Sequence, residues 1–280
     1  MKRIFGTLSM LLILVSGAEA SAWNKKVDDA RKAARAGDRL IFVDLFAEWC
    51  GWCHRFEREI VPSEAFQNAT KEMVLLRVDT EDGGEGTELA RRYNVTRLPT
   101  FLVLTPEMTV AAIIQGYAPP QPFVEMVRQK LDEYEVLIEG LKSESKKKPE
   151  ERLALATELV ARHDFAGAQA RLRKLAGDAG APDAIRAEAR YMIAVAQASD
   201  GKGDEALATV ESLLDDGPRG DPAQKAVLLR ARILVEKKDY PAALREYKRF
   251  KTSYPGSPHM QTVDYYIPQL ESVIARNSGR

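Results

Sequence analysis

Cys50 and Cys53 are the only cysteines in a chain of 280 residues, and only Gly51 and Trp52 separate them. A disulfide stabilises a fold chiefly by restricting the unfolded chain, and that gain grows with the length of the loop it closes. Three positions close almost no loop, so a structural staple is a poor explanation for the pair. The chemistry that suits the pair is reversible dithiol–disulfide exchange, in which one thiolate attacks a partner disulfide and the other then resolves the mixed disulfide. Because His54 follows directly, the segment also fits covalent haem attachment, which would call for a helical domain with an exposed haem edge. Zinc fits less well, since His163 and His259 are distant and lack the paired spacing of a structural site.

Exchange chemistry needs one thiol ionised, and the flanking sequence supplies the means. Leu40 to Phe46 is a nearly continuous apolar run, the pattern of a central strand buried on both faces, with Asp44 as its one anomaly. Arg55 to Ile60 favours a helix that Pro62 bends or ends. Cys50 then falls at a helix N-terminus, where unpaired backbone N–H groups and the helix dipole favour a thiolate. Cys53 lies one turn further in, placed to attack a mixed disulfide at Cys50.

Around this centre the chain is expected to run helix (Asn24 to Ala36, stopped by Gly37), strand, helix, strand (Met73 to Asp79), helix (Glu88 to Asn94), strand (Thr100 to Leu104), strand (Ala111 to Gln115) and helix. The last helix begins near Phe123 after a turn with Pro119, Pro120 and Pro122, and its apolar positions recur at helical spacing past Leu141. The acidic, glycine-rich stretch from Thr80 to Thr87 lacks the alternating ligands of a calcium loop and is expected as a solvated turn.

The segment Val43-Asp44-Leu45-Phe46-Ala47-Glu48-Trp49-Cys50-Gly51-Trp52-Cys53 resembles the active-site strand and turn of the thioredoxin superfamily, and Arg97-Leu98-Pro99-Thr100-Phe101 resembles its second signature. The likeness implies an α/β thioredoxin-like domain over residues 22–141, with a central mixed sheet flanked by helices. It implies that Pro99 is cis and lies opposite the cysteines, and that Asp44 is a buried carboxylate exchanging a proton with Cys53. Trp49, Gly51, Trp52, Leu98, Pro99 and Gly116 are the expected substrate-binding residues, the two indoles forming an apolar rim, with the core as the alternative place for Trp49. Gly-Trp between the cysteines, with His54 after them, departs from the Gly-Pro of cytosolic thioredoxins and bears on the reduction potential. The local sequence, including Phe56 and Glu57, is closer to the periplasmic reductase domain of the transmembrane disulfide reductase family, which implies a reductase and no bound cofactor.

The polar run at residues 142–149 reads as a linker, and from Glu150 the composition turns alanine- and leucine-rich. His163 to Ala168, Gly201 to Ala206 and Lys238 to Ala243 are equivalent helix-turn-helix corners recurring roughly every 37–38 residues. This stretch resembles tetratricopeptide repeats with slightly lengthened turns, so residues 150–277 are expected as an all-α helical repeat domain ending in a capping helix from Met260.

Residues 1–20 carry Lys2 and Arg3, an apolar run from Leu8 to Val15 and Ala18-Glu19-Ala20, the pattern of a cleavable signal peptide with a mature start near Ser21. The apolar run is short for a bilayer span, so stable membrane insertion is not expected. Export to the periplasm or beyond would place the protein where disulfides persist. With 41 basic and 41 acidic residues there is no net field to attract nucleic acid. Expected partners are therefore thiols or disulfides of exported proteins, a redox partner not identified by sequence, and a protein ligand in the repeat groove. The alternative from another class is a redox-silent, repeat-based binding module.

Overall fold

The structure is a computed structural model that describes residues 23–217 and 220–278. The expected signal peptide at 1–20 and the mature start at Ser21 lie outside the described residues, as does part of the turn between Asp215 and Pro222.

The apolar run around Asp44 forms β1 (Ile41–Phe46), whose first five residues are all buried. Buried backbone must be paired along both edges, and β1 has a neighbour on each in a four-stranded sheet of order β2-β1-β3-β4. Its companions are β2 (Val74–Asp79), β3 (Thr100–Leu104) and β4 (Val110–Gln115). β2 runs parallel to β1 and β3 antiparallel, and the register sets Arg77 and Phe101 on either side of Asp44. A parallel neighbour needs a long crossover; here α2 (Gly51–Glu59) and α3 (Glu64–Thr70) provide it. α1 (Val27–Gly37) precedes β1, α4 (Glu85–Arg92) joins β2 to β3, and α5 (Pro120–Lys142) follows β4.

Four local features differ from the sequence expectation, each for an identifiable reason. Pro62 does follow the end of α2, but Ser63 restarts the chain as α3 by accepting the Phe66 N–H at 3.3 Å, and Phe66 is buried. α4 begins three residues early because Asp82 gathers the N–H groups of Gly84, Gly86 and Thr87 into an ordered start. Only glycine fits at position 86, where a Cβ would stand 1.9 Å from the Asp79 carbonyl oxygen. α5 starts at Pro120 rather than Phe123: proline is tolerated in a first turn, where its missing N–H would have no partner. The helix stop of α1 is Asp38, left-handed at φ 47°, with Gly37 still helical.

The core beneath the sheet is aromatic. Phe42, Phe56, Phe66, Phe101 and Phe123 are all buried, with ring centroids 4.3 Å apart for Phe56–Phe101 and 4.9 Å for Phe101–Phe123. Cys53 and Phe56 on one face of α2 and Ile60, its C-cap, are fully buried. Truncating a buried Phe to Ala costs about 3–5 kcal/mol, so Phe56 firmly seats the helix whose first turn carries the cysteines.

The chain divides into two compact units. One runs to Pro106 and takes in Ile113–Val127; the other comprises Glu107–Ala112 and everything from Arg128 onward. From Arg128 onward the second unit is helical: after the end of α5 and a short 3₁₀ turn at Glu144–Lys146 come α6 (Pro149–Ala161), α7 (Phe165–Ala176), α8 (Asp183–Ser199), α9 (Gly203–Asp215), α10 (Asp221–Glu236), α11 (Tyr240–Ser253) and α12 (Met260–Ser278). Consecutive helices pack on one another. The three corners are equivalent in detail, since His163, Gly201 and Lys238 take left-handed φ values of 62°, 77° and 63°. Ala168, Ala206 and Ala243, five residues after each corner residue, are fully buried. Small side chains there let the helices of each pair approach closely.

Candidate active site

Cys50 is the N-cap of α2, in extended conformation, and its sulfur accepts the Cys53 N–H at 3.2 Å. The Cys50 carbonyl accepts from Cys53 at 3.0 Å and from His54 at 3.2 Å, so the turn closes on itself. Cys50 and Cys53 are joined as a disulfide, with Cα atoms 5.3 Å apart. An N-cap sulfur receives the positive end of the helix dipole and a backbone donor, both of which favour a thiolate once the bond is reduced. Cys50 is only 3% exposed and Cys53 fully buried.

Asp44 lies on the strand that leads into this turn and is buried at 1% exposure. Its acidity is set first by burial, which disfavours the charged form; the positive charge of Arg77 opposes this and Glu57 reinforces it, leaving the pKa raised to about 7. Arg77 approaches Asp44 Oδ2 at 3.4 Å from Nε and binds Glu57 at 2.5 Å, with its guanidinium 4.3 Å from the Phe46 ring centroid. The sequence reading missed both Arg77 and Glu57. A charged residue inside the apolar run of β2, opposite the one charged residue of β1, was the available signal.

The Leu98–Pro99 peptide bond is cis. Gly116, at φ 85°, donates its N–H to the Pro99 carbonyl at 2.9 Å, which joins the loop before β3 to the one after β4. Trp49 is exposed, not in the core, and donates from Nε1 to Glu81 at 2.8 Å. Trp52 is exposed too and packs against Tyr117, ring centroids 5.3 Å apart and planes tilted by 30°. A Cβ at Gly51 would meet no atom of the described residues within 4 Å. His54 donates from Nε2 to the Glu48 carbonyl at 2.8 Å.

The acidic loop is engaged internally. Asp82 accepts three backbone N–H bonds, which hold its carboxyl below the usual range, and Glu85 accepts the N–H of Val27. Among the described residues no group of three or more His, Cys, Asp or Glu is arranged to hold a metal ion, and no helix is long and apolar enough to cross a membrane. Haem attachment required a helical domain, whereas Cys50 caps and Cys53 lies in the first turn of α2, the helix that follows β1 of a mixed sheet.

This combination defines a thioredoxin-type fold with a dithiol–disulfide centre at the start of its first crossover helix. Residues 22–106 match the thioredoxin-like family, and residues 153–222 and 199–258 match tetratricopeptide repeats. The chain is 36% identical over 85 residues to thioredoxin-1 of Drosophila yakuba, covering 30% of this chain and 75% of that one. It is 34% identical over 80 residues to the thioredoxin of Echinococcus granulosus, covering 28% and 69%. To the thiol:disulfide interchange protein DsbD of Actinobacillus pleuropneumoniae serotype 5b it is 36% identical over 72 residues, which is 25% of this chain and 12% of DsbD. The chain thus spans about an eighth of that relative. It belongs to the thioredoxin-like family of thiol-disulfide oxidoreductases and carries tetratricopeptide repeats after the thioredoxin-like region.

Proposed function

We propose that this protein is an exported reductase of protein disulfides, with residues 22–141 as the catalytic domain, 142–149 as a linker and 150–277 as a repeat domain that engages a protein ligand. The observation that carries this reading is the Cys50 sulfur at the N-cap of α2, accepting the Cys53 N–H. In the reduced protein the Cys50 thiolate attacks one sulfur of a substrate disulfide; that S–S bond breaks, and the departing thiolate takes a proton from solvent. Cys53 then gives its proton to the Asp44 carboxylate and attacks the Cys50 sulfur. The second substrate thiolate leaves, and the Cys50–Cys53 disulfide remains. Two electrons pass to the substrate, and an external dithiol must return them.

An extended substrate segment would pair with the Leu98 backbone beside Pro99 and Gly116, with Gly51, Trp49 and Trp52 bordering the approach to Cys50. Main-chain pairing of this kind tolerates varied sequences. Reduction rather than oxidation is favoured by the resemblance of the segment around Cys50 to the periplasmic reductase domain of the transmembrane disulfide reductase family, and export by the residue pattern at 1–20. The test is a redox titration of the full chain against glutathione, following the two thiols by alkylation and mass. A reversible two-electron transition near ~ −270 mV supports a reductase, one near ~ −120 mV makes the protein an oxidant, and no reversible transition removes the exchange chemistry.

A further inference from the structure

Trp52 is 54% exposed, yet its indole is held from several directions. Its ring stands 5.3 Å from that of Tyr117, and the Arg55 guanidinium covers both, 5.4 Å from the Trp52 centroid and 4.8 Å from the Tyr117 centroid. Glu59 closes the cluster by accepting from Arg55 Nε at 2.9 Å and from the Tyr117 hydroxyl. Trp52, Arg55 and Glu59 come from α2, whereas Tyr117 directly follows Gly116, the partner of Pro99. The cluster therefore links the cysteine helix to the cis-proline segment.

A free surface indole samples several rotamers, and ordering it on binding opposes association by about 0.5–1.5 kcal/mol. Here the ordering is already done by charged and aromatic neighbours, which is how rigid aromatic anchors gain contact area at low entropic cost. Arg55 and Glu59 neutralise each other within the cluster, so what remains for a ligand is the ring surface itself. Such a surface is complementary to apolar side chains, whose contact removes water from both partners.

We propose that Trp52 and Tyr117, clamped by Arg55 and Glu59, are the specificity-determining wall of the exchange site, selecting protein disulfides that carry an aromatic or long aliphatic side chain beside the reacting cysteine. This rests on the exchange activity proposed above. Trp52 and Tyr117 make the contact; Arg55 and Glu59 act through them as positioning residues.

The experiment uses the reduced full chain and two disulfide-linked peptides that differ only in the residue before the cysteine, Phe in one and Ser in the other. Hydroxyethyl disulfide serves as a probe with no side chain. The second-order rate of protein oxidation is read by rapid thiol alkylation. The wild type should oxidise about tenfold faster with the Phe peptide, the scale of one well-placed aromatic contact. Trp52→Ala and Glu59→Ala should bring that ratio close to one, and Tyr117→Phe, which keeps the ring contact and loses the tether, should fall between. A merely structural loss would slow both peptides together and leave the ratio unchanged, as would partial unfolding. A wild-type ratio near one, or a ratio that survives in Trp52→Ala and Glu59→Ala, overturns the assignment. Failure of the wild type to react even with hydroxyethyl disulfide would instead overturn the exchange activity on which it rests.

Discussion

Arg77 and Asp44 face each other across the β1–β2 register with Arg77 Nε 3.4 Å from Asp44 Oδ2, yet among the described residues neither Asp44 oxygen nor that nitrogen has a hydrogen-bond partner. The pair attracts without the short, directed bonds that would compensate a buried charge. Arg77 instead spends its shorter contact, 2.5 Å, on Glu57. Desolvation therefore prevails over attraction, and Asp44 titrates at about 7 instead of its ordinary 3.8.

A raised carboxyl pKa has a definite consequence for stability. The native state binds a proton that the unfolded state has already lost between pH 3.8 and about 7, so stability falls as pH rises through that window and stays low above it. The shift corresponds to a ceiling of about 4 kcal/mol. Asp44→Asn, which cannot ionise, should stabilise the oxidised protein by about 2–4 kcal/mol at pH 8.5 and by little near pH 4. The three tryptophans Trp23, Trp49 and Trp52 all lie in the thioredoxin-like region, so denaturation followed by their fluorescence reports on that unit. Equal effects of Asp44→Asn at both pH values would show that Asp44 is not the titrating group.

The same carboxylate should appear in the kinetics. If Asp44 must be ionised to take the Cys53 proton, the resolving step speeds up as pH rises through about 7. Removing the Arg77 charge with Arg77→Met should move that inflection to higher pH, and Glu57→Gln should move it lower, because the two charges act on Asp44 in opposite directions. Asp44→Asn should erase it. Stopped-flow release of the mixed disulfide across pH 5–9 in the four proteins gives the comparison, and identical inflections in all four would exclude Asp44 from the step.

Much of the site's location was legible, because it depends on local pattern: an apolar run broken by Asp44, then two cysteines at a helix start, then Leu98-Pro99 before another strand. What escaped depends on pairing between segments far apart in sequence. Arg77 matters through strand register, and Tyr117 through a ring contact with Trp52 formed only when the loop after β4 meets α2. Element edges moved for a related reason. The early start of α4 is written in side-chain bonds from Asp82 to backbone N–H groups, a loop geometry that composition does not specify. Trp49 could be placed at the rim or in the core on residue type alone, and its bond to Glu81 puts it outside.

The division of labour between the sulfurs predicts what a trapping experiment should find. Cys50 holds the N-cap and is the more exposed of the two, at 3% against 0% for Cys53. Cys53→Ser should therefore accumulate a mixed disulfide at Cys50 with a polypeptide substrate, visible as an added mass removed by reductant, while Cys50→Ser should accumulate none. Equal trapping by both variants would assign no preferred attacking sulfur.

In the repeat unit, His163, Gly201 and Lys238 stand at matching corners with left-handed φ values of 62°, 77° and 63°. A residue with a Cβ is held there against its own preference, by about 1–2 kcal/mol, while glycine gives part of that back through its greater freedom in the unfolded chain. Lys238→Gly should accordingly stabilise the repeats by about 0.5–1 kcal/mol, a rise in Tm of about 2–4 °C. Gly201→Ala should lower stability by about 1 kcal/mol, and purely through the backbone, since a Cβ at Gly201 would meet no atom of the described residues within 4 Å. Thermal unfolding followed by far-ultraviolet circular dichroism, dominated by these helices, distinguishes the two. A destabilised Lys238→Gly beside an unaffected Gly201→Ala would mean that the corner conformation is not what glycine contributes at this position.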